Sequence, residues 1–259
     1  MIPSSLKQAV TVMRYELWRA TKNLRLIGLL ILVAVFSVLA AKGLEGAGNA
    51  TAFGKEFFTV APFLLIVIVG VWLGGDILAS EFERKTGYML FANPIKRVTV
   101  VAGKFMACFV STLLLISVIY LIGTIFTLNN YGWAPPTILG SFGLAVLYGC
   151  AVLSLTFLFS SILGVAGATV ISFSTLIVIM PILGALLLSK VGVEPWFLLM
   201  YSAGTIGAYI DPPAQRIVST PTGTSYAYPD FTVSALVIIA YILVSLILCI
   251  IATKRREMR

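Results

Sequence analysis

The chain has 259 residues, of which 59% are hydrophobic and only 11% charged, with a mean hydropathy of +1.04. Soluble domains carry about 25% charged residues, so a water-facing surface cannot be built from this composition, and an all-α integral membrane protein is expected. The chain lacks histidine, which removes the commonest general base and metal ligand, and no catalytic activity or metal site is expected on it.

Residues 1–23 come first. In LKQAVTVMRYELWRATK, the residues Leu6, Ala9, Val10, Met13 and Leu17 recur at helical spacing, while Lys7, Arg14, Lys22, Tyr15 and Trp18 lie elsewhere around the helix. This pattern predicts an amphipathic helix lying in a membrane interface. Five further features of the chain are apolar runs at about 24–41, 57–79, 101–128, 137–161 and 164–188, and a sixth run follows at 232–252. Each is long enough to cross a bilayer as a helix, which takes ~20 residues. The stretch SVLAAKG in the first run loosely resembles a signal-peptidase site, but the region before it is too long for an ordinary leader, so an uncleaved span is expected. Runs four and five are separated only by a turn near Ser160, Ser161 and Gly164, and Pro181 is expected to kink the fifth. Cys108, Cys150 and Cys249 all fall within apolar runs and read as small buried hydrophobes.

The longest connection, residues 189–231, holds Pro195, Pro212, Pro213, Pro221 and Pro229. Within it, PWFLLMYSAGTIGAYI is apolar but too short to cross and predicts a re-entrant or interfacial helix. The following PPAQRIVSTPTGTSYAYP has turn chemistry throughout and is expected to be irregular.

Lys and Arg set the orientation. With both termini on one side, that side holds 14 of the 18 basic residues, leaving Lys42, Lys55, Lys190 and Arg216 opposite. Both termini are therefore expected in the cytoplasm, at the cell membrane. The net charge of +8 is mostly this orientation signal, and nucleic acid is not an expected partner.

Residues 74–105 join runs two and three and hold eight of the chain's 28 charges: Asp76, Glu81, Glu83, Arg84, Lys85, Lys96, Arg97 and Lys104. Within this connection, ASEFERKTGYMLFAN predicts a short cytoplasmic helix. Ser80 stands as N-cap with Glu83 three residues on, as in a capping box. Asn93-Pro94 ends it, Gly87 permits a bend or close approach, and Phe82, Met89, Leu90 and Phe91 supply apolar surface. By pattern alone, a docking element and a solvated basic loop are equally supported.

The segment EFERKTGYMLFANPIKRVTVVAGK resembles the signature that follows the second span of ABC-2 type permeases, the membrane subunits of ABC transporters. There it reads approximately E-x-E-x-G-T, a few apolar residues, P-[IV]-x-R and G-K. Glu81, Glu83, Gly87, Pro94, Ile95, Arg97, Gly103 and Lys104 match, while Thr86-Gly87 reverses the usual order. The interfacial helix, the six spans and the large connection before the last span resemble the same family over nearly the whole chain.

The resemblance implies a single transmembrane domain whose 80–97 loop is a coupling helix seated on a separate ATP-binding subunit. Glu81, Glu83, Arg84, Gly87, Phe91, Pro94 and Arg97 would lie at that contact. It also implies a second permease copy, or a similar chain, and transport by export or mechanical work. No G-x-x-x-x-G-K-[ST] phosphate loop occurs here, so ATP and Mg are expected on the partner and no cofactor on this chain. Gly164, Gly167 and Ala168 suit close helix packing, within one bundle or between two.

Competing expectations are an ion-coupled carrier or channel, a membrane-embedded enzyme, and a mechanical subunit acting on an extracytoplasmic protein through residues 189–231. Asp76 is the one acid near a span interior, which argues against ion coupling and favours an apolar or amphipathic cargo.

Overall fold

The computed structural model describes residues 5–22, 24–46, 48–83, 97–191, 193–212, 217–219, 225–227 and 230–255. It has six helices long and apolar enough to cross a membrane. We name them span one (Leu24–Gly43), span two (Ala50–Gly74), span three (Arg97–Tyr131), span four (Ile138–Ile162), span five (Val165–Lys190) and span six (Phe231–Arg255). The N-terminal helix, Ser5–Lys22, precedes them. A backbone in hydrocarbon must satisfy its own hydrogen bonds, and only continuous helices do so within one apolar run.

Local chemistry sets several ends. Asn49 caps span two by accepting from the Ala52 N–H at 3.2 Å. Span three runs past its apolar stretch through Asn129 and Asn130 and stops before Gly132, whose φ of 75° only glycine adopts readily. Span five is not a uniform α-helix. Around Thr175–Ile179 it widens to a π-type turn in which the Met180 N–H donates to the Thr175 carbonyl. Pro181 follows directly, in the α-helical stretch Met180–Leu186. Pro181 brings no N–H to the ladder, and the hydrogen-bond register widens directly before it.

Spans two, three and four form the centre, with span six against span four and span one against span three. Lipid tails are as apolar as these side chains, so close contact rather than water exclusion holds the spans together. Toward the end of the bundle opposite the N-terminal helix, the centre is aromatic. Phe58 stacks on Tyr120 at 4.5 Å between ring centroids and meets Phe57 edge-on at 5.0 Å, while Tyr120 meets Phe142 edge-on at 5.2 Å. Gly123 is what lets span three approach this cluster. A Cβ there would collide with the Phe57 ring and lie 2.7 Å from Phe58 Cζ. We expect Gly123→Val to destabilise the chain by about 1–3 kcal/mol, read as a lowered unfolding temperature in detergent; an unchanged temperature would show that the rings rearrange freely.

The apolar stretch after span five does form the expected short element. Helices Leu199–Ala203 and Thr205–Ala208 are almost wholly buried against spans two, four and six. Their broken backbone finds partners in the bundle: the Ser141 hydroxyl donates to the Ile206 carbonyl at 2.7 Å and is itself 2.8 Å from the Tyr120 hydroxyl. Gly207 lies against Thr59 and the Lys55 carbonyl with no room for a side chain. Lys55 also pairs with Asp211 at 3.4 Å. The proline-rich tail departs from the irregular expectation in one place. Ile217–Ser219 and Ser225–Ala227 pair as a short antiparallel ribbon, because IVS and SYA carry enough strand-forming residues to pair.

Candidate functional site

At the end of the bundle where the N-terminal helix packs, the chain leaves span two through a tight turn and enters a short helix, Ala79–Glu83. Leu78 and Ala79 are buried, and both backbone N–H groups donate to one acceptor, the Ser160 hydroxyl at the end of span four, at 3.2 and 3.0 Å. The expected capping box is therefore not the one built. Ser80 lies within the helix, and the free donors are met from span four. Glu83 is drawn elsewhere. Its carboxylate accepts from the Val165 N–H at 2.8 Å, across 82 residues of sequence. Val165 opens span five, so the charge sits where a helix N-terminus favours an anion. Gly164 makes room for it: a side chain there would overlap Glu83 Oε1.

Two residues back, Glu81 reaches in a different direction. Its carboxylate lies 2.8 Å from Lys104 Nζ in span three, and Glu16 of the N-terminal helix lies 2.6 Å from the same nitrogen. The Lys104 side chain is 2% exposed, and its partners 12% and 16%. A lone ammonium at such a position would cost several kcal/mol to desolvate, so the two carboxylates are what permit it there. In sequence Lys104 counts only as one of the connection's charges and part of the G-K match; in the structure it is the enclosed centre of an ion triad that joins three separate elements. Beside it, Gly103 seats the N-terminal helix. A Cβ there would lie 2.7 Å from the Ala9 carbonyl and 2.8 Å from Val12 Cβ.

This seating turns the N-terminal helix from its expected face. Ala9, Met13 and Leu17 do point inward with Val12 and Glu16, but Leu6 and Val10 are exposed. The Gly103 notch and the Glu16–Lys104 pair fix the rotation. Tyr15 and Trp18 remain exposed, with Lys22 Nζ 4.0 Å above the Trp18 ring. Asp76 pairs with Arg25 of span one at 2.6 Å. Arg25 is more than half exposed, so this pair contributes little, about 0–1 kcal/mol.

Of the residues expected at a partner contact, Glu81 and Glu83 lie on one short helix, and their carboxylates reach spans three and five. Arg97 opens span three, with its side chain outside the described residues. Arg84, Gly87, Phe91 and Pro94 also lie outside them, as does most of the expected helix through Asn93. Sequence reasoning missed Glu16 and Ser160. Glu16 had a signal: it is the one acid in Ser5–Lys22 and stands three, four and seven residues after Met13, Val12 and Ala9, hence on the seated face. Ser160 had none, being one hydroxyl among many in span four.

The family model DUF2705, described as a protein of unknown function, matches residues 10–259. The chain belongs to this family. Comparison with curated proteins gives no match. The match begins inside the N-terminal helix, so this DUF2705 chain carries Glu16, Glu81, Glu83, Lys104 and Ser160 within the family's extent. Together these residues bolt the base of the 84–96 connection to spans three, four and five and to the N-terminal helix.

Proposed function

We propose that this DUF2705 chain is the membrane-spanning permease subunit of an ABC transporter of ABC-2 type. A separate subunit binds and hydrolyses Mg-ATP, and the connection after span two is the handle that this subunit grips. The single observation that carries the reading is the double anchorage of one short helix: Glu81 to Lys104 and Glu16, and Glu83 to the first N–H of span five. A displacement applied to residues 84–96 is thereby delivered to spans three and five and to the N-terminal helix as rigid levers. In this reading Arg84, Gly87, Phe91, Pro94 and Arg97 supply the gripped surface, while Glu81 and Glu83 face inward and transmit.

In this reading the handle and both termini lie in the cytoplasm at a cell membrane, which the 14 basic residues on that side support. Spans one, five and six are only 22%, 17% and 17% buried over their most apolar windows. Their outer faces are available to lipid and to a second permease copy. Cargo would move between the two copies by export, or the pair would do mechanical work.

The test is purification of the tagged full chain from its native membrane in mild detergent. A soluble ATPase with a phosphate loop is expected to come with it, along with a second permease. A chain that purifies without any ATPase and conducts ions alone in vesicles would overturn the reading in favour of a carrier or channel.

A further inference from the structure

A cavity of about 500 Å³ lies between spans three and four, at the end of the bundle opposite the handle. Its volume falls within the ~300–1,000 Å³ of small-ligand sites. One wall is Ser117, Leu121 and Thr124 of span three, and the facing wall is Leu139 and Phe142 of span four. Pro135 and Pro136, in the turn joining the two spans, line its far end. The Tyr120 ring lines it and is held in place by the Tyr120–Ser141 hydroxyl pair. Among the described residues, no charged one lines it.

Three features determine the occupant. First, the cavity opens toward the bilayer. The rim residues Leu121 and Leu139 are 61% and 78% exposed, on the outward faces of two membrane spans, where the surrounding solvent is hydrocarbon. Second, its length fits within one leaflet. Its span-three wall runs from Ser117 to Thr124, about 10 Å of helix, against ~15 Å for half the hydrocarbon core. Third, its lining is largely apolar, the Ser117 hydroxyl being engaged by the Leu113 carbonyl at 2.8 Å, and the exposed Trp133, next in sequence to the lining residue Ala134, is of the type that marks the membrane–water boundary.

We infer that this groove holds one acyl chain of a phospholipid from the leaflet opposite the handle, with the headgroup near Trp133 and the chain running down to Ser117. The chain fills a wall-to-wall gap that the two spans leave open, so it is a bound component and not part of the exchanging lipid annulus. The inference stands apart from the transport reading: it needs neither an ATPase nor a second copy.

The test uses the purified full chain in vesicles of phosphatidylethanolamine and phosphatidylglycerol doped with a phospholipid bearing a photoactivatable diazirine at mid-chain. Cross-linked residues are located by peptide mass spectrometry. Labelling of Leu121, Leu139 and Phe142 is expected to exceed that of the lipid-facing Leu243 and Ile247 of span six by about tenfold, the ratio for ~1.4 kcal/mol of preferential occupancy. Thr124→Phe, or Ser117→Phe where that variant folds poorly, is expected to abolish the groove labelling and leave span six unchanged. Equal labelling of the two regions in the unmodified chain would overturn the inference, because it describes annular lipid alone. Groove labelling that survives in a folded filling variant would also overturn it. A diazirine on the headgroup is expected to mark the Trp133 region instead; marking near Ser117 would reverse the assigned direction and contradict the proposal.

Discussion

Replacing Lys104 by Met is expected to cost about 3–5 kcal/mol of stability, the range for removing one member of a buried ion cluster. Glu16 and Glu81 would then face each other without a cation, in a site where their side chains are only 12% and 16% exposed. The N-terminal helix should be the first element to detach, because Glu16 and the Gly103 notch are its main seat. The unfolding temperature in detergent should fall, and protease should cut earlier within Ser5–Lys22. Combining Lys104→Met with Glu16→Gln and Glu81→Gln should recover much of the loss, since the triad would be replaced by neutral groups of similar volume. A single variant that melts like the parent would show that Lys104 is solvated and that no triad operates.

The second prediction concerns transmission rather than stability. Glu83 is exposed in part, and its bond to the Val165 N–H is worth little to folding. Glu83→Lys places a cation at the N-terminal end of span five, where the helix dipole repels it, and it severs the handle from that span. ATP-driven activity is expected to fall by the factor that corresponds to a coupling loss of about 0.5–2 kcal/mol, roughly two- to thirtyfold. In the proposed reading, ATP hydrolysis by the partner and assembly of the complex should persist. Gly164→Val should act in the same direction, because its side chain occupies the space of the Glu83 carboxylate. Comparing hydrolysis with transport in the same vesicles separates the two quantities. Unchanged transport in both variants would remove Glu83 from the transmission route.

The spans were legible because their physics is local. Length, apolarity and the need to satisfy every backbone hydrogen bond act within each run of ~20 residues; five of the observed helices begin and end close to the expected runs, while span two, expected at 57–79, is Ala50–Gly74 because Asn49 caps it ahead of the apolar stretch. The apolar segment before Asp211 was legible for the same reason: it is too short to cross and too apolar for water. The charges were read less well. Counting Lys and Arg by side treats each as a point at the interface, yet Lys104 meets Glu16 across 88 residues and Glu83 meets Val165 across 82. No window along the chain contains either pair. The capping-box expectation failed likewise, since Ser80 and Glu83 satisfy the spacing but Ser160 and Val165 supply better-placed partners. The pairing of 217–219 with 225–227 was hidden by the proline and glycine in the surrounding sequence, which dominate any local reading of turn chemistry.

The central claim is that the connection after span two is gripped from the cytosol by an energy-supplying protein. Its most direct test is a photo-cross-linking amino acid placed at Phe91 of the full chain, activated in native membranes, with the captured protein identified by mass spectrometry. The account predicts a covalent adduct with a soluble ATP-binding protein, formed at the cytoplasmic face and lost when Arg97 is changed to Glu. Capture of lipid only, or reaction of a thiol placed at position 91 with a membrane-impermeant reagent added outside intact cells, would contradict it.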